Sequence, residues 1–344
     1  MIYIMESSTL FALMHMPITY SALVVENTSR CNAKCGMCYQ SAGPKGSDQL
    51  GDHAIDSALL MEVLTDAMHI PSLTKRFHLS GGETFLKLED AILLFDHARK
   101  VGFEDITAVS NGYWARNFIK GIGTAERLRD AGLTSMEISW DYWHLEHIPP
   151  EAVNNCIEAC HHAGIETNLR LLATKTHSHA EALAMLDKKS VAKVDRISCC
   201  PVFPTGRASI TLPKEDIYKE DNVYGSCHTT LNLTINAKGK VFPCCAGMDQ
   251  TNNVLFGDIA EQKISHIAEK MNASPMLRTL VFYGASAFIP ILQEAGIQLN
   301  EKEHANVCTL CWHLFSNKTY SHIINDYFDH ALERALDSLM EINS

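Results

Sequence analysis

Short apolar segments alternate with longer segments of helical periodicity through the first 210 or so residues of the chain. The apolar segments predict six strands, at residues 22–26, 76–80, 106–110, 135–139, 167–172 and 196–201. The periodic segments predict helices at residues 55–68, 88–101, 124–131, 150–163 and 180–187. Strands that alternate with helices indicate βα units around a parallel sheet. Six such units predict an α/β fold, a partial (β/α)6 TIM barrel rather than the full barrel of eight.

The pattern changes after the sixth predicted strand. Residues 231–235 and 240–243 alternate like paired strands around a turn, where Gly239 supplies the positive φ that such a turn needs. Helical periodicity follows at residues 264–271, 275–283, 286–295 and 321–340. We therefore expect three parts: a barrel over residues 1–213, a β-hairpin with helices over residues 214–320, and a C-terminal helix over residues 321–344.

Composition and charge narrow the class of protein. Hydrophobic residues make up 46% and charged residues 20% of the chain, which is an ordinary globular balance. The net charge of −11 argues against nucleic acid as a partner. The N-terminal segment lacks a basic start, and Glu6 interrupts its apolar run, so neither a signal peptide nor a membrane partner is expected. In a cytoplasmic protein, the twelve cysteines favour metal or redox chemistry over disulfides.

Three cysteines lie close together directly after the first predicted strand. Cys31, Cys35 and Cys38 have the spacing C-x3-C-x2-C. Three thiolates from one loop can bind three irons of a 4Fe–4S cluster and leave the fourth iron open to a substrate. Three unrelated cysteines, or part of a zinc site, are the alternatives that the spacing leaves open.

Polar residues and glycines follow the predicted strands at the positions where barrel enzymes place their sites. Gly81, Gly82 and Glu83 follow the second strand, where paired glycines let backbone approach a ligand and a carboxylate can accept hydrogen bonds from an ammonium group. Four further candidates end the next three strands, and they are Asn111, Ser139, Asp141 and Arg170. The Ser139 hydroxyl and the Asp141 carboxylate suit ribose hydroxyls, whereas the guanidinium of Arg170 suits a carboxylate.

A second cysteine set lies in the C-terminal part. Cys227, Gly239 and Cys244 have the spacing C-x11-G-x4-C, and Cys308 and Cys311 form a C-x2-C pair. An iron–sulfur cluster or a zinc ion would suit these four cysteines. Cys245 follows Cys244 directly, and adjacent residues of an extended chain point to opposite sides, so we expect Cys245 to stay free.

These motifs together resemble the radical S-adenosylmethionine (radical SAM) superfamily. Residues 31–39, CNAKCGMCY, resemble its cluster loop, with Met37 and Tyr39 at the positions near the adenine. The glycine-glycine-glutamate run resembles the motif that binds the amino group of S-adenosylmethionine, and residues 203–208 resemble the adenine-side segment. The second cysteine set resembles the twitch form of the SPASM/twitch extension. The resemblance implies two 4Fe–4S clusters, S-adenosylmethionine, and an external reductant such as flavodoxin or ferredoxin.

The spare cysteine decides the reaction that we expect. A free thiol beside a radical site can donate a hydrogen atom, and the arrangement around Cys245 resembles radical peptide epimerases. We therefore expect Cα epimerisation of a ribosomally made precursor peptide. Peptide cross-linking, a sugar or aminoglycoside epimerase or dehydrogenase, and a zinc or electron-transfer protein without catalysis are the alternatives. Cys245 could also be a small buried residue.

Overall fold

Six parallel strands form the first part of the sheet in a computed structural model that describes residues 7–220, 223–228, 230–244, 252–300 and 303–342. They are β1 (Leu23–Glu26), β2 (Arg76–Ser80), β3 (Asp105–Ser110), β4 (Ser135–Trp140), β5 (Glu166–Ala173) and β6 (Arg196–Pro201). Each strand pairs in parallel with its neighbour in chain order. This arrangement is the predicted partial (β/α)6 barrel, and it brings the carboxyl ends of all six strands to one edge.

Helices connect these strands. They are α1 (Ser7–His15), α2 (Ser57–Ala67), α3 (Leu88–Val101), α4 (Phe118–Ala131), α5 (Tyr142–Leu145), α6 (Pro150–Ala163), α7 (His179–Ala184), α8 (Lys188–Val191) and α9 (Ala208–Thr211). Helix α4 begins at Phe118 rather than at the predicted residue 124. The Asn117 side chain accepts a hydrogen bond from the Lys120 amide at 3.1 Å and caps this end, so the helix tolerates two internal glycines that had hidden its first turns.

The predicted hairpin is present and extends the barrel sheet. Strand β7 (Leu233–Ile235) pairs in parallel with β1, and Leu23 lies opposite Leu233. Strands β8 (Lys240–Phe242) and β9 (Gly257–Asp258) follow in antiparallel order. The hairpin therefore continues the sheet of the barrel.

The remaining helices pack beyond the hairpin. They are α10 (Ile264–Ala273), α11 (Pro275–Tyr283), α12 (Ile289–Glu294), α13 (Val307–Ser316) and α14 (Lys318–Ile342). The sequence patterns had missed α1 and α13, and α14 begins at Lys318 rather than at residue 321. Among the described residues, no helix has both the length and the apolar character to cross a bilayer.

Polar contacts join the C-terminal helices to the barrel. The Asp66 carboxylate of α2 accepts the Ser265 amide of α10 at 2.9 Å. The Arg278 guanidinium of α11 donates to the carbonyl oxygens of Leu13 and Met16 at 3.0 and 2.7 Å. These contacts add to the shared sheet, so the two parts pack against each other through backbone as well as side chains.

Candidate active site

One open cavity lies at the carboxyl ends of the strands and encloses about 1000 Å³ of empty space. Its lining includes every residue that the sequence patterns had assigned to the first site, namely Cys31, Cys35, Met37, Cys38, Tyr39, Gly81, Gly82, Glu83, Asn111, Ser139, Asp141 and Arg170. These residues come from five different strand ends or loops. The parallel arrangement of the strands explains their convergence, because every carboxyl end faces the same edge.

The loop after β1 presents the three cysteines to this cavity. The Cys31 amide donates to the Gly43 carbonyl at 3.0 Å, and the Cys38 amide donates to the Cys35 carbonyl at 3.2 Å. Burial, followed by the nearby Glu83 carboxylate, raises the pKa of the Cys31 thiol well above its usual value. Burial also raises the pKa of Cys38, although the charge of Arg207 opposes that rise. Such thiols become thiolates when a bound metal compensates their charge.

The two glycines before Glu83 let two backbones meet. A Cβ on Gly82 would lie 2.2 Å from the Arg30 carbonyl oxygen. The Gly82 and Glu83 amides donate to the Thr28 and Arg30 carbonyls at 2.7 and 2.8 Å. We expected these glycines to open backbone to a ligand, but the close approach at Gly82 is to the cysteine loop itself. The glycines therefore fix the loop against the end of β2.

The Glu83 carboxylate is buried and braces the end of β3. It accepts hydrogen bonds from the Ser110 hydroxyl at 2.8 Å, the Asn111 amide at 2.9 Å and the Phe85 amide at 3.3 Å. Burial raises its pKa, and these three hydrogen bonds act in the opposite direction. Glu83 lines the cavity, and contact with the amino group of a ligand stays a prediction.

Asp141 offers the cavity an oxygen that has no partner in the structure. Its Oδ1 caps α5 by accepting the Trp143 and His144 amides at 3.1 Å, and it also contacts His144 Nδ1 at 2.9 Å. Its Oδ2 is buried and has no hydrogen-bond partner. A buried carboxylate oxygen without a partner is costly, so this atom fits a donor from a bound ligand.

His144 lines the same cavity and was missed by the sequence analysis. Burial lowers its pKa, but the charges of Asp141 and Cys35 outweigh this effect and raise the pKa well above the usual value. The spacing of Asp141 and His144 by three positions at the start of a helix was the available signal.

The wall of the cavity formed by the strands is polar. Arg170 donates to the Glu137 carboxylate at 3.0 Å, so one nitrogen of its guanidinium already has a partner inside the protein. His78 contacts the Thr107 hydroxyl at 2.7 Å, and burial lowers its pKa to about 4. Glu137 and His78 were not predicted, and their signal was alternation with Ser139 and Ser80 along the strands.

A second cavity collects the other predicted cysteines. Cys227, Cys244, Cys308 and Cys311 line it together with apolar residues of α11. Cys308 and Cys311 lie in the first turns of α13, where Asn306 and Thr309 form a capping box. Burial raises the pKa of Cys311, and the charges of Cys227 and Cys308 add to this rise. The chain thus brings together cysteines that are more than 60 positions apart.

Other cysteines lie elsewhere. Cys245, the predicted hydrogen donor, lies outside the described residues. Cys156 and Cys160 are fully buried on α6, as expected for core residues. Cys199 is exposed on β6, and Cys200 is half-buried.

Both cavities fit iron–sulfur cofactors. The first combines three cysteine sulfurs with the unpartnered Asp141 oxygen, and the second contains four cysteine sulfurs. Three sulfurs suit a cluster with one open iron, and four suit a closed cluster. The donors required for a 4Fe–4S cluster, for S-adenosylmethionine and for a further iron–sulfur cluster are therefore present.

Comparison with known proteins agrees with these donor sets. Residues 25–188 match the Radical SAM superfamily, and residues 227–312 match SPASM, an iron–sulfur cluster-binding domain. The chain is 23% identical over 300 residues to the putative peptide biosynthesis protein YydG of Bacillus subtilis (strain 168), a match that covers 84% of this chain and 90% of YydG.

Solved structures show the same fold. Native anSMEcpe with bound AdoMet and Cp18Cys peptide matches with a TM-score of 0.54 and 14% identity, covering 93% of this chain and 99% of that chain. Native anSMEcpe with bound AdoMet matches equally. The superfamily match includes the cysteine loop and the glycine-glycine-glutamate run, and the SPASM match spans the second cysteine set. The chain therefore belongs to the radical SAM superfamily and carries a SPASM iron–sulfur cluster-binding domain.

Proposed function

We propose that this radical SAM enzyme modifies a ribosomally made peptide, and the observation that carries the proposal is the pair of cysteine-lined cavities in one chain. Cys31, Cys35 and Cys38 hold the 4Fe–4S cluster whose fourth iron takes S-adenosylmethionine. The Asp141 Oδ2 atom and the Ser139 hydroxyl accept and donate to its polar groups. Cys227, Cys244, Cys308 and Cys311 hold one auxiliary cluster. The barrel over residues 1–213 and the cluster domain over residues 214–320 thereby have separate roles.

A peptide substrate is supported by the relatives and by the rim of the first cavity. YydG is named for peptide biosynthesis, and the anSMEcpe structure contains a peptide. At the rim, Tyr142 stacks on His177 with ring centroids 3.4 Å apart and remains 47% exposed. Trp143 lies edge-on to His177, and its Cδ1 atom is 3.5 Å from the Cβ position of Gly36. Exposed aromatic side chains beside the cluster loop suit side chains of an extended peptide.

We propose epimerisation at a peptide Cα as the reaction. When bound, the cluster and S-adenosylmethionine supply a 5′-deoxyadenosyl radical that takes a hydrogen atom from Cα. The Cys245 thiol then donates its hydrogen atom to the opposite face of the carbon, so one C–H bond is broken and one is formed. The thiyl radical left on Cys245 takes up one electron from an external flavodoxin or ferredoxin and one proton from solvent. The cavity walls keep other hydrogen donors away from the reacting carbon.

The experiment is turnover in deuterated water with a candidate precursor peptide. A Cys245→Ala variant is compared with Cys199→Ala, which removes an exposed cysteine. We expect one deuterium at a substrate Cα and a D-residue in the product of the native enzyme and of Cys199→Ala. Cys245→Ala is expected to form 5′-deoxyadenosine without the D-residue.

Two results would contradict the epimerisation. One is a modified peptide without deuterium at Cα, which would instead indicate cross-linking. The other is unchanged product stereochemistry in Cys245→Ala, which would remove Cys245 as the donor. If 5′-deoxyadenosine forms but no peptide is altered, the peptide substrate itself is wrong.

A further inference from the structure

The guanidinium of Arg207 is buried beneath the cysteine loop, far along the chain from the residues it contacts. The side chain is 6% exposed and lies just after β6. It donates to the carbonyl oxygens of Cys35, Ser41 and Ala42 at 2.8, 2.5 and 2.7 Å. The Arg207 amide also donates to the Cys38 carbonyl at 3.0 Å. One residue thus satisfies four carbonyl groups in a loop that has no regular secondary structure.

The glycine before Arg207 brings its backbone against the same loop. Gly206 has a φ of +57°, and a Cβ there would lie 1.9 Å from the Tyr39 carbonyl oxygen. This approach places the Arg207 side chain between the loop and Asp48. Asp48 accepts from Arg207 Nε at 2.9 Å, and its amide donates to the Ser41 carbonyl at 2.9 Å.

Ser41 shows that the loop is held in a costly conformation. Its φ is +55°, which is uncommon for a residue other than glycine. Its carbonyl accepts from both Arg207 and the Asp48 amide. A conformation of this kind persists when the surrounding contacts determine it.

We infer that Arg207 is a positioning residue that sets the shape of the cysteine loop and whose positive charge makes the cluster of that loop easier to reduce. Three thiolates give a 4Fe–4S cluster a net negative charge, and reduction adds one more. A buried cation at the loop therefore favours the reduced state, since net charge is one of the properties that set cluster potentials. A lysine would preserve the charge but cannot contact three carbonyl groups with a planar fork.

The test compares Arg207→Lys and Arg207→Gln with Arg196→Gln, which removes an exposed arginine from β6. Hydrogen exchange of the loop amides is measured first in the full chain without its clusters. We expect exchange of the loop peptide to accelerate about tenfold in both Arg207 variants and to stay unchanged in Arg196→Gln. Far-UV circular dichroism of the same samples identifies a variant that fails to fold.

The second measurement uses the reconstituted chain. The midpoint potential is determined by spin resonance for the cluster whose signal changes when S-adenosylmethionine is added. We expect a more negative potential in Arg207→Gln and a native potential in Arg207→Lys, with lower iron content in both. Asp48→Asn removes a negative charge and is expected to shift the potential in the positive direction.

Native exchange in both Arg207 variants would overturn the positioning role. Equal potentials in Arg207→Gln and the native protein, or equal shifts in Arg207→Gln and Arg207→Lys, would overturn the role of the charge. If Arg207→Gln does not fold, the exchange and the potential of Arg207→Lys decide the two parts separately.

Discussion

The carboxylate of Glu83 accepts a hydrogen bond from the backbone amide of Asn111 at 2.9 Å. The contact joins the carboxyl end of β2 to that of β3, and the Ser110 hydroxyl strengthens it at 2.8 Å. The glutamate of the glycine-glycine-glutamate run is therefore part of the scaffold of the cavity. It holds the backbone of Asn111, whose side-chain amide is 3.7 Å from the Cys31 sulfur.

Glu83→Gln should destabilise the chain even without cofactors. The amide nitrogen of glutamine cannot accept the hydrogen bonds that the carboxylate accepts from Ser110 and Asn111. We expect the free energy of unfolding to fall by about 1–3 kcal/mol, measured by urea denaturation of the cluster-free chain. Glu104→Gln, which changes a carboxylate that is 71% exposed, is the control and should cost less than about 1 kcal/mol. Equal stability of the two variants would contradict the bracing role.

Asp141→Asn should weaken binding of S-adenosylmethionine while leaving α5 intact. The oxygen of asparagine can still cap the helix, and the three donors at that position fix its orientation, so the amide nitrogen replaces Oδ2. That nitrogen cannot accept a hydrogen bond from a ligand. We expect the dissociation constant to rise about tenfold to a hundredfold, measured by anaerobic calorimetry on the reconstituted protein. Asp130→Asn, on the exposed face of α4, should bind like the native protein.

The two cysteine sets should load iron independently. Two 4Fe–4S clusters require about eight irons per chain. Cys31→Ala should lose about half of the iron and all cleavage of S-adenosylmethionine, whereas Cys311→Ala should lose the other half. Cys156→Ala, a fully buried cysteine of α6, should retain all of it. Iron and sulfide analysis after anaerobic reconstitution measures this, and stoichiometric zinc in the second site would exclude an auxiliary iron–sulfur cluster.

Two glycine substitutions should change stability in opposite directions. Gly206→Ala places a Cβ 1.9 Å from the Tyr39 carbonyl at a positive φ, so we expect a loss of about 2 kcal/mol or more. Gly123→Ala lies within α4 and meets no atom within 4 Å. It should stabilise the chain by about 0.5–1 kcal/mol because alanine has the higher helix propensity. Thermal unfolding of both variants distinguishes the two effects, and a stabilised Gly206→Ala would contradict the close packing at the loop.

Helix α13 and helix α4 show why parts of the fold escaped prediction. The segment of α13 contains Cys308 and Cys311, and its cysteine spacing suggested a ligand pair in an irregular segment. Its capping box at Asn306 and Thr309 was a helix signal that local reading could have used. In α4, glycines at positions 121 and 123 lowered the helical propensity, and packing against α3 and α6 overcame it.

The sequence by itself determined the strands, the order of the βα units and the two cysteine sets. These features depend on periodicity and spacing between near neighbours, and such patterns survive without knowledge of the fold. Only the tertiary structure decided which residues meet. It placed Arg207 against Cys35, His144 beside Asp141 within the cavity, and β7 beside β1. Contacts of this kind join residues that can be over 150 positions apart, and they follow from the packing of the sheet rather than from any local pattern.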